Sequence, residues 1–357
     1  MSIAAYAAPL LARPWHGRRE GARAARIAPA ILRRLRPLDP SVEGWVAQSV
    51  HSTDAGVAVL MLGPAGECPR AVLKVGLTQE ARRSLSREGA VLSALAADPR
   101  MECRRHLLPG LLADGELDGA GYLLQRALHG RNAVSLLGTA PAARLQELAA
   151  DAIGSLHERT GVPAVAGVTC VDRWLAEPVR RAGRAALACH GTKGRLELSR
   201  LTADVRTALI GRRLRVSWVH GDFWLGNVLV DRDGSTVTGV VDWDAAGNHE
   251  LPVLDLLHLV VYTRTLLERR ELGGVVRDLV EGEGWTAREL ALLRSCDFQF
   301  DRDADYARAS LLLCWLRHVA SNLAQSKHYL HSHVWLARNV EPVLRLFERP
   351  SRPRSRR

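Results

Sequence analysis

The stretch Val216-Ser-Trp-Val-His-Gly-Asp-Phe-Trp-Leu-Gly-Asn-Val-Leu-Val230, continuing through Asp231-Arg-Asp-Gly234 to Val237-Thr-Gly-Val-Val-Asp-Trp-Asp244, decides how the rest of the chain is read. Val228–Val230 and Val237–Val241 are β-branched runs joined by a polar, Gly-containing turn, which predicts an antiparallel hairpin. In a hairpin the start of the first strand and the end of the second lie side by side, so Asn227 and Asp242 converge at one end. One amide oxygen and one carboxylate there suit a hard cation such as Mg²⁺, which takes oxygen ligands and keeps positions for water or phosphate. Asp222 stands five residues before Asn227, on the loop leaving the strand Val216–Val219, where it can accept a proton from a hydroxyl. Two metal-holding oxygens and a separate carboxylate that orients a nucleophile are what phosphoryl transfer requires.

Composition limits the other readings. Of the 357 residues, 47% are hydrophobic and 24% charged, as in folded globular proteins. The net charge of +11 is carried by the ends: residues 1–40 hold eight Arg against Glu20 and Asp39, and residues 349–357 hold five Arg and no acid. Residues 41–348 balance, which argues against a phosphate-tracking groove and a specific nucleic-acid partner. The basic tails are expected to be solvated, the first as a frayed extension, and could contact an anionic partner; the rival for the first is an amphipathic surface helix. Six scattered cysteines lack CxxC pairs or neighbouring His at metal spacing, so reduced thiols and a cytoplasmic protein are expected, with Cys314 a small core residue. The apolar start Met1–Ala12 is too short to span a bilayer and has no Lys or Arg before it, so a secretory signal is not expected.

The hydrophobic period changes near residue 130. Before it, Trp45–Val50, Val57–Leu62 and Ala71–Val75 read as an antiparallel meander, Gln79–Ala97 as a helix closed by Asp98-Pro99, and Leu111–Ala113 with Tyr122–Gln125 as a hairpin. After it, helical spacing runs through Pro141–Arg159, Trp174–Ala188, Leu254–Leu267, Ala287–Leu293, Tyr306–Ser326 and His333–Phe347. The expected plan is α+β: an N-terminal extension over 1–40, a small β-rich N-lobe over 41–127, a larger α-helical C-lobe over 128–348 and a basic tail over 349–357.

His220-Gly-Asp-Phe-Trp-Leu-Gly-Asn227 followed by Val240-Val-Asp-Trp-Asp244 resembles the catalytic loop and metal-binding segment of the aminoglycoside phosphotransferase and choline kinase family, a small-molecule branch of the protein-kinase-like fold. The resemblance implies a bilobal fold, ATP and Mg²⁺ as cofactors, and a small-molecule hydroxyl as acceptor. It implies that Asp222 is the catalytic aspartate, that Asn227 and Asp242 hold Mg²⁺, and that His220 orients the loop. Asp255 resembles the family's helix-start aspartate, with a structural role. Lys74, a lone Lys amid apolar residues in Ala71–Val75, would meet the nucleotide phosphates, with Glu88 as its positioning partner by the same resemblance and Glu80 as a rival. Taken alone, Lys74 would read as an edge-strand solubility lysine. Gln125-Arg-Ala127 falls at the family's interlobe hinge, where backbone groups of Gln125 and Ala127 would meet adenine. The loop His51–Gly56 is no GxGxxG.

For the acceptor, Asp244, Glu250 and the acidic run Asp297–Asp305 either bind an amine-bearing substrate or serve a helix N-terminus. An aminoglycoside, an amino alcohol, a sugar or a related metabolite all fit. The alternative from another class is a non-catalytic nucleotide-binding or scaffold protein of the same fold, tethered by its Arg-rich tails.

Overall fold

Alternating apolar runs at the N-terminal end of the chain form a five-stranded antiparallel sheet, in the spatial order β1-β2-β3-β5-β4. Its strands are β1 (Trp45–Ser52), β2 (Val57–Pro64), β3 (Ala71–Gly76), β4 (Leu111–Leu117) and β5 (Ala120–Arg126). The computed structural model describes residues 17–36, 42–52, 56–282, 284–297, 300 and 302–348. The basic tail 349–357, the start 1–16 and the centre of the loop 51–56 lie outside them. The chain forms two compact units, one of residues 1–159 with 220–247 and the other of 160–219 with 248–357.

In the first unit the sheet has two faces, set by the two-residue period of a strand. Leu60, Leu73 and Leu124 lie opposite one another on one face. Ala58 and Val75 pair on the same side, and all five are buried. Val59, Lys74 and Leu123 share the other face, as do Met61, Val72 and Gln125. Two helices, α1 (Gly17–Leu35) and α2 (Gln79–Ala97), pack against the strands. The second helix starts at Thr78, whose hydroxyl caps Ala81 N, and buries Leu85, Glu88, Leu92 and Leu95.

The frayed extension expected of the Arg-rich start does not describe residues 17–35. Ala24, Ile27, Ala28, Ile31 and Leu32 recur at helical spacing and join the core of the first face. Exposed Arg26, Arg33 and Arg34 occupy the outer side. The arginines dominate the composition, but the apolar stripe between them decides the structure, because a sheet face lined by Leu60, Leu62 and Leu73 must be covered.

A second, three-stranded sheet carries the motif region, in the order β10-β9-β6. It joins β6 (Arg131–Asn132), β9 (Val228–Val230) and β10 (Val237–Val240). The turn between the last two is closed by the Asp231 carboxylate, which accepts from Ser235 N at 2.8 Å and Thr236 N at 3.2 Å. Helix α3 (Ala142–Thr160) leads out of this unit.

The second unit is helical around a small sheet. It holds β7 (Val162–Val165), α4 (Val168–Leu209), β8 (Arg213–Val219), β11 (Gly247–Glu250), α5 (Val253–Glu268), α6 (Leu272–Val280), α7 (Ala287–Cys296) and α8 (Ala304–Gln325), then α9 (His328–His331), α10 (His333–Asn339) and α11 (Glu341–Leu344). Helix α8 packs along α4, with Leu312, Leu313, Trp315, Leu316 and Val319 buried and Cys314 among them, as expected for a core thiol. The single closing helix expected over 333–347 is broken into α10, α11 and a 3-10 turn, because Pro342 has no N–H to continue the ladder from α10. Helix α6 was not read from the sequence, although Leu272, Val275, Val276 and Leu279 carry the helical spacing and are buried. Among the described residues no helix is long and apolar enough to cross a membrane.

The packing of α1 has a measurable consequence. Ile31→Ala should lower unfolding stability by about 2–4 kcal/mol, the range for emptying a buried aliphatic site, while exposed Arg33→Ala should stay within about 0.5 kcal/mol. Urea denaturation compares them, and equal effects would show that α1 is a dispensable appendage.

Candidate active site

The hairpin brings its two ends together as strand pairing requires. Val228 lies opposite Val240, and the Val241 N–H donates to Asn227 O at 2.9 Å, so Asp242 emerges one residue beyond Asn227's partner. Asp242 takes a left-handed backbone (φ 65°, ψ 62°), sparsely populated by residues other than Gly and a form of strain found at functional positions. The turn points its carboxylate at Lys74 rather than along the strand.

Lys74 occupies the middle strand of the five, only 8% exposed, which removes the edge-strand reading. Its ammonium lies 2.7 and 2.8 Å from the two oxygens of Glu88 and 2.5 Å from Asp242 Oδ1. Glu88 is 1% exposed and also accepts from Gln125 Nε2 at 2.9 Å. Glu88 therefore takes the place beside Lys74 that Glu80, at the helix start, does not. Burial alone would lower the Lys74 pKa, but the charges of Asp242 and Glu88, with a hydrogen bond to each, outweigh it and hold the ammonium above its ordinary value. Partial burial would raise the Asp242 carboxyl; the Lys74 charge and hydrogen bond outweigh it and hold it below the usual range. Half of the Asp242 side chain still faces solvent.

His220 is fully buried and ties the loop to the second strand. Its Nε2 lies 2.8 Å from Val241 O, and its Nδ1 accepts the Asp222 N–H at 3.3 Å. A ring that accepts at Nδ1 and faces a carbonyl at Nε2 is the neutral tautomer protonated at Nε2. The Trp243 ring lies 4.7 Å from it, and the Trp243 indole donates to Val240 O at 2.8 Å. Gly221 (φ 81°) is demanded here, since a Cβ would stand 2.2 Å from Ala245 O. The His220–Asp222 turn is thereby pressed against the segment after Asp242.

Asn227 is 5% exposed. Its Nδ2 donates to Asp222 O at 2.8 Å and more weakly to Asp222 Oδ2 at 3.4 Å. This orients the amide so that Oδ1 is turned away from Asp222. An amide oxygen and a half-exposed carboxylate at one hairpin end form an all-oxygen set, which fits Mg²⁺ and not a thiophilic metal. The carbonyl of Gly226 is fixed in turn by Asn132 Nδ2, a link from β6 that sequence reading did not single out.

Gln125 and Ala127 were expected to offer backbone groups. The Gln125 side chain holds Glu88, and the Ala127 N–H donates to Arg70 O at 2.9 Å. The acids considered for an amine-bearing acceptor have partners within their own units. Asp244 accepts from Ser84 Oγ on α2 at 2.5 Å. Asp303 caps α8 through Asp305 N and Tyr306 N and pairs with Arg212, Asp297 accepts from the Tyr306 hydroxyl, and Glu250 pairs with Arg317. The helix-terminus reading accounts for Asp303, while residues 298, 299 and 301 of that run lie outside the described residues. Asp255, in the first turn of α5, is 1% exposed.

The model of the phosphotransferase enzyme family matches residues 54–293. No curated protein matches the sequence. Among solved structures, the apo form of a thermostable mutant of aminoglycoside phosphotransferase APH(4)-Ia is similar with a TM-score of 0.53 at 14% identity, covering 84% of this chain and 95% of that one. A ternary complex of such a mutant with ADP and hygromycin B gives 0.55 at 16% identity over 88% and 98%. The GDP complex of wild-type aminoglycoside 2'-phosphotransferase-IIIa gives 0.51 at 16% identity over 89% and 97%. The shared fold is kinase-like, with an antiparallel β-sheet N-lobe and a helical C-lobe.

Burial, reinforced by the charge of Glu88, pushes the Asp244 carboxyl up to about 6, against the Ser84 hydrogen bond and Lys74, which act to lower it. A raised carboxyl pKa favours the fold below the ordinary value of 3.8, and that contribution is lost as pH rises through about 6. Asp244→Asn should therefore flatten the fall in stability between about pH 4 and 6, read by urea denaturation across that range. Identical profiles for the two proteins would show that Asp244 titrates normally.

Proposed function

The chain belongs to the phosphotransferase enzyme family, and on that premise we propose that it transfers the γ-phosphoryl group of ATP to a hydroxyl of a small molecule. The observation that carries this reading is the Lys74 ammonium held between buried Glu88 and half-exposed Asp242, at the hairpin end where Asn227 and Asp222 also meet. Asp222 orients the acceptor hydroxyl and receives its proton as the oxygen attacks the γ-phosphorus and the bond to the bridging oxygen of ADP breaks. Asn227 Oδ1 and the Asp242 carboxylate would hold Mg²⁺, which would supply charge neutralisation at the phosphates. Lys74 would meet the phosphates, and Glu88, braced by Gln125, keeps its ammonium in place. His220 positions the loop by joining Asp222 N to Val241 O. The backbone around Gln125–Ala127 borders the nucleotide, with the Ala127 N–H already engaged.

The acceptor class proposed is an aminoglycoside, amino alcohol, sugar or related hydroxyl-bearing metabolite. The APH(4)-Ia complex with ADP and hygromycin B supports placing an aminoglycoside first among these. A panel of such compounds, offered with Mg·ATP or Mg·GTP and scored by nucleoside diphosphate release, identifies the acceptor and the donor together.

Asp222→Ala should reduce turnover by about 10²–10⁴-fold, the usual contribution of a positioned acid or base, with an unchanged melting temperature. Full turnover in that variant would overturn the assignment. Glu88→Gln should loosen Lys74 and weaken Mg·ATP binding, seen as a smaller thermal shift on adding the nucleotide. A wild-type chain that Mg·ATP does not stabilise, and that releases no ADP with any acceptor, would point to a non-catalytic scaffold.

A further inference from the structure

Outside the candidate active site, one cluster in the helical unit has the chemistry of a metal site. The backbone of α4 leaves helical geometry at His190 (φ −133°, ψ 17°) and Gly191 (φ 60°, ψ −139°). The Gly191 conformation is essentially restricted to glycine. The chain reverses so closely there that a Cβ on Gly194 would stand 2.0 Å from Ala186 O. This reversal turns His190 toward Glu197, with Nδ1 2.7 Å from Oε2. Glu197 is 1% exposed, yet its Oε1 accepts no hydrogen bond among the described residues. A buried carboxylate oxygen without a hydrogen-bond donor is costly, and a directly bound cation would relieve it.

The ammonium of Lys193 stands 3.7 Å from that oxygen and 3.5 Å from Glu348 Oε1, too far for a hydrogen bond to either, on a side chain 58% exposed and able to swing away. His190, Glu197 and Glu348 each present one ligand atom, and the three atoms lie within 4.8 Å of one another. We propose that these three residues bind a divalent transition-metal ion of the zinc class, joining the reversal in α4 to residue 348 at the end of the last helical turn. One imidazole nitrogen with two carboxylates suits Zn²⁺ better than Mg²⁺ or Ca²⁺, which favour all-oxygen shells. The other His190 nitrogen, Nε2, lies 3.5 Å from Glu341 Oε1, the carboxylate–histidine arrangement that orients a ligating ring.

The test uses the full chain, stripped by chelator and titrated with Zn²⁺ alone in excess Mg²⁺, which occupies any all-oxygen site. Isothermal calorimetry should show one equivalent of Zn²⁺ bound and a matching rise in melting temperature. Glu348→Gln, on the exposed rim, and Glu197→Gln should each abolish stoichiometric binding, and Glu341→Gln should weaken it about 10-fold as an outer-shell change. Absence of saturable binding would show that Lys193 serves as the resident cation and would overturn the proposal. So would binding that Glu348→Gln leaves intact, and that variant decides the question even where Glu197→Gln does not fold.

Discussion

Lys74 is a single ammonium in the centre of a buried sheet, and the first unit is organised around satisfying it. A buried charge with no partner costs several kcal/mol, and removing one member of a buried pair typically costs about 3–5 kcal/mol. Its two carboxylates come from very different distances along the chain, Glu88 at 14 residues and Asp242 at 168. The first sets which face of α2 packs on the strands. The second requires that the end of the β9–β10 hairpin reach the same point, with the backbone of Asp242 bent into a left-handed turn to do so. Gln125 from β5 and Ser84 from α2 complete the arrangement through Glu88 and Asp244.

This polar centre survives because the strand that carries it is dry. Strand β3 is buried along its whole length, which requires cover on both faces. Helix α2 brings Glu88 to the Lys74 face, and α1 joins the core of the opposite one. The Arg-rich start of the chain is thus part of the scaffold that keeps water from the back of the Lys74 strand. Arg26, Arg33 and Arg34 ride on the outer side of a helix whose inner stripe is apolar like the strands it meets.

Much of this was readable in advance because it is local. The hairpin register follows from two β-branched runs and a polar turn, and it alone carries Asn227 and Asp242 to one place. Helix α2 was legible from the spacing of Leu85, Leu92 and Leu95 and from its Asp98-Pro99 stop. The break at Pro342 was local too, but the apolar spacing of residues 333–347 masked it. The acidic run near residue 300 was ambiguous because an acid that caps a helix and an acid that awaits an amine look the same in sequence. Only the positions of Arg212, Tyr306 and Arg317 decide how Asp303, Asp297 and Glu250 are used.

By itself the sequence determined the residue types of a phosphoryl-transfer centre and the strand pairing that gathers Asn227 and Asp242, since both depend on neighbours a few residues apart. The tertiary structure alone decided that Asp242 joins Glu88 on Lys74, that the Gln125 side chain braces Glu88, that α1 belongs to the core, and that His190 and Glu197 meet across a reversal. Each of these rests on a contact between distant segments or on a backbone turn. Spacing along a chain carries little information about which distant partner relieves the desolvation of a buried charge.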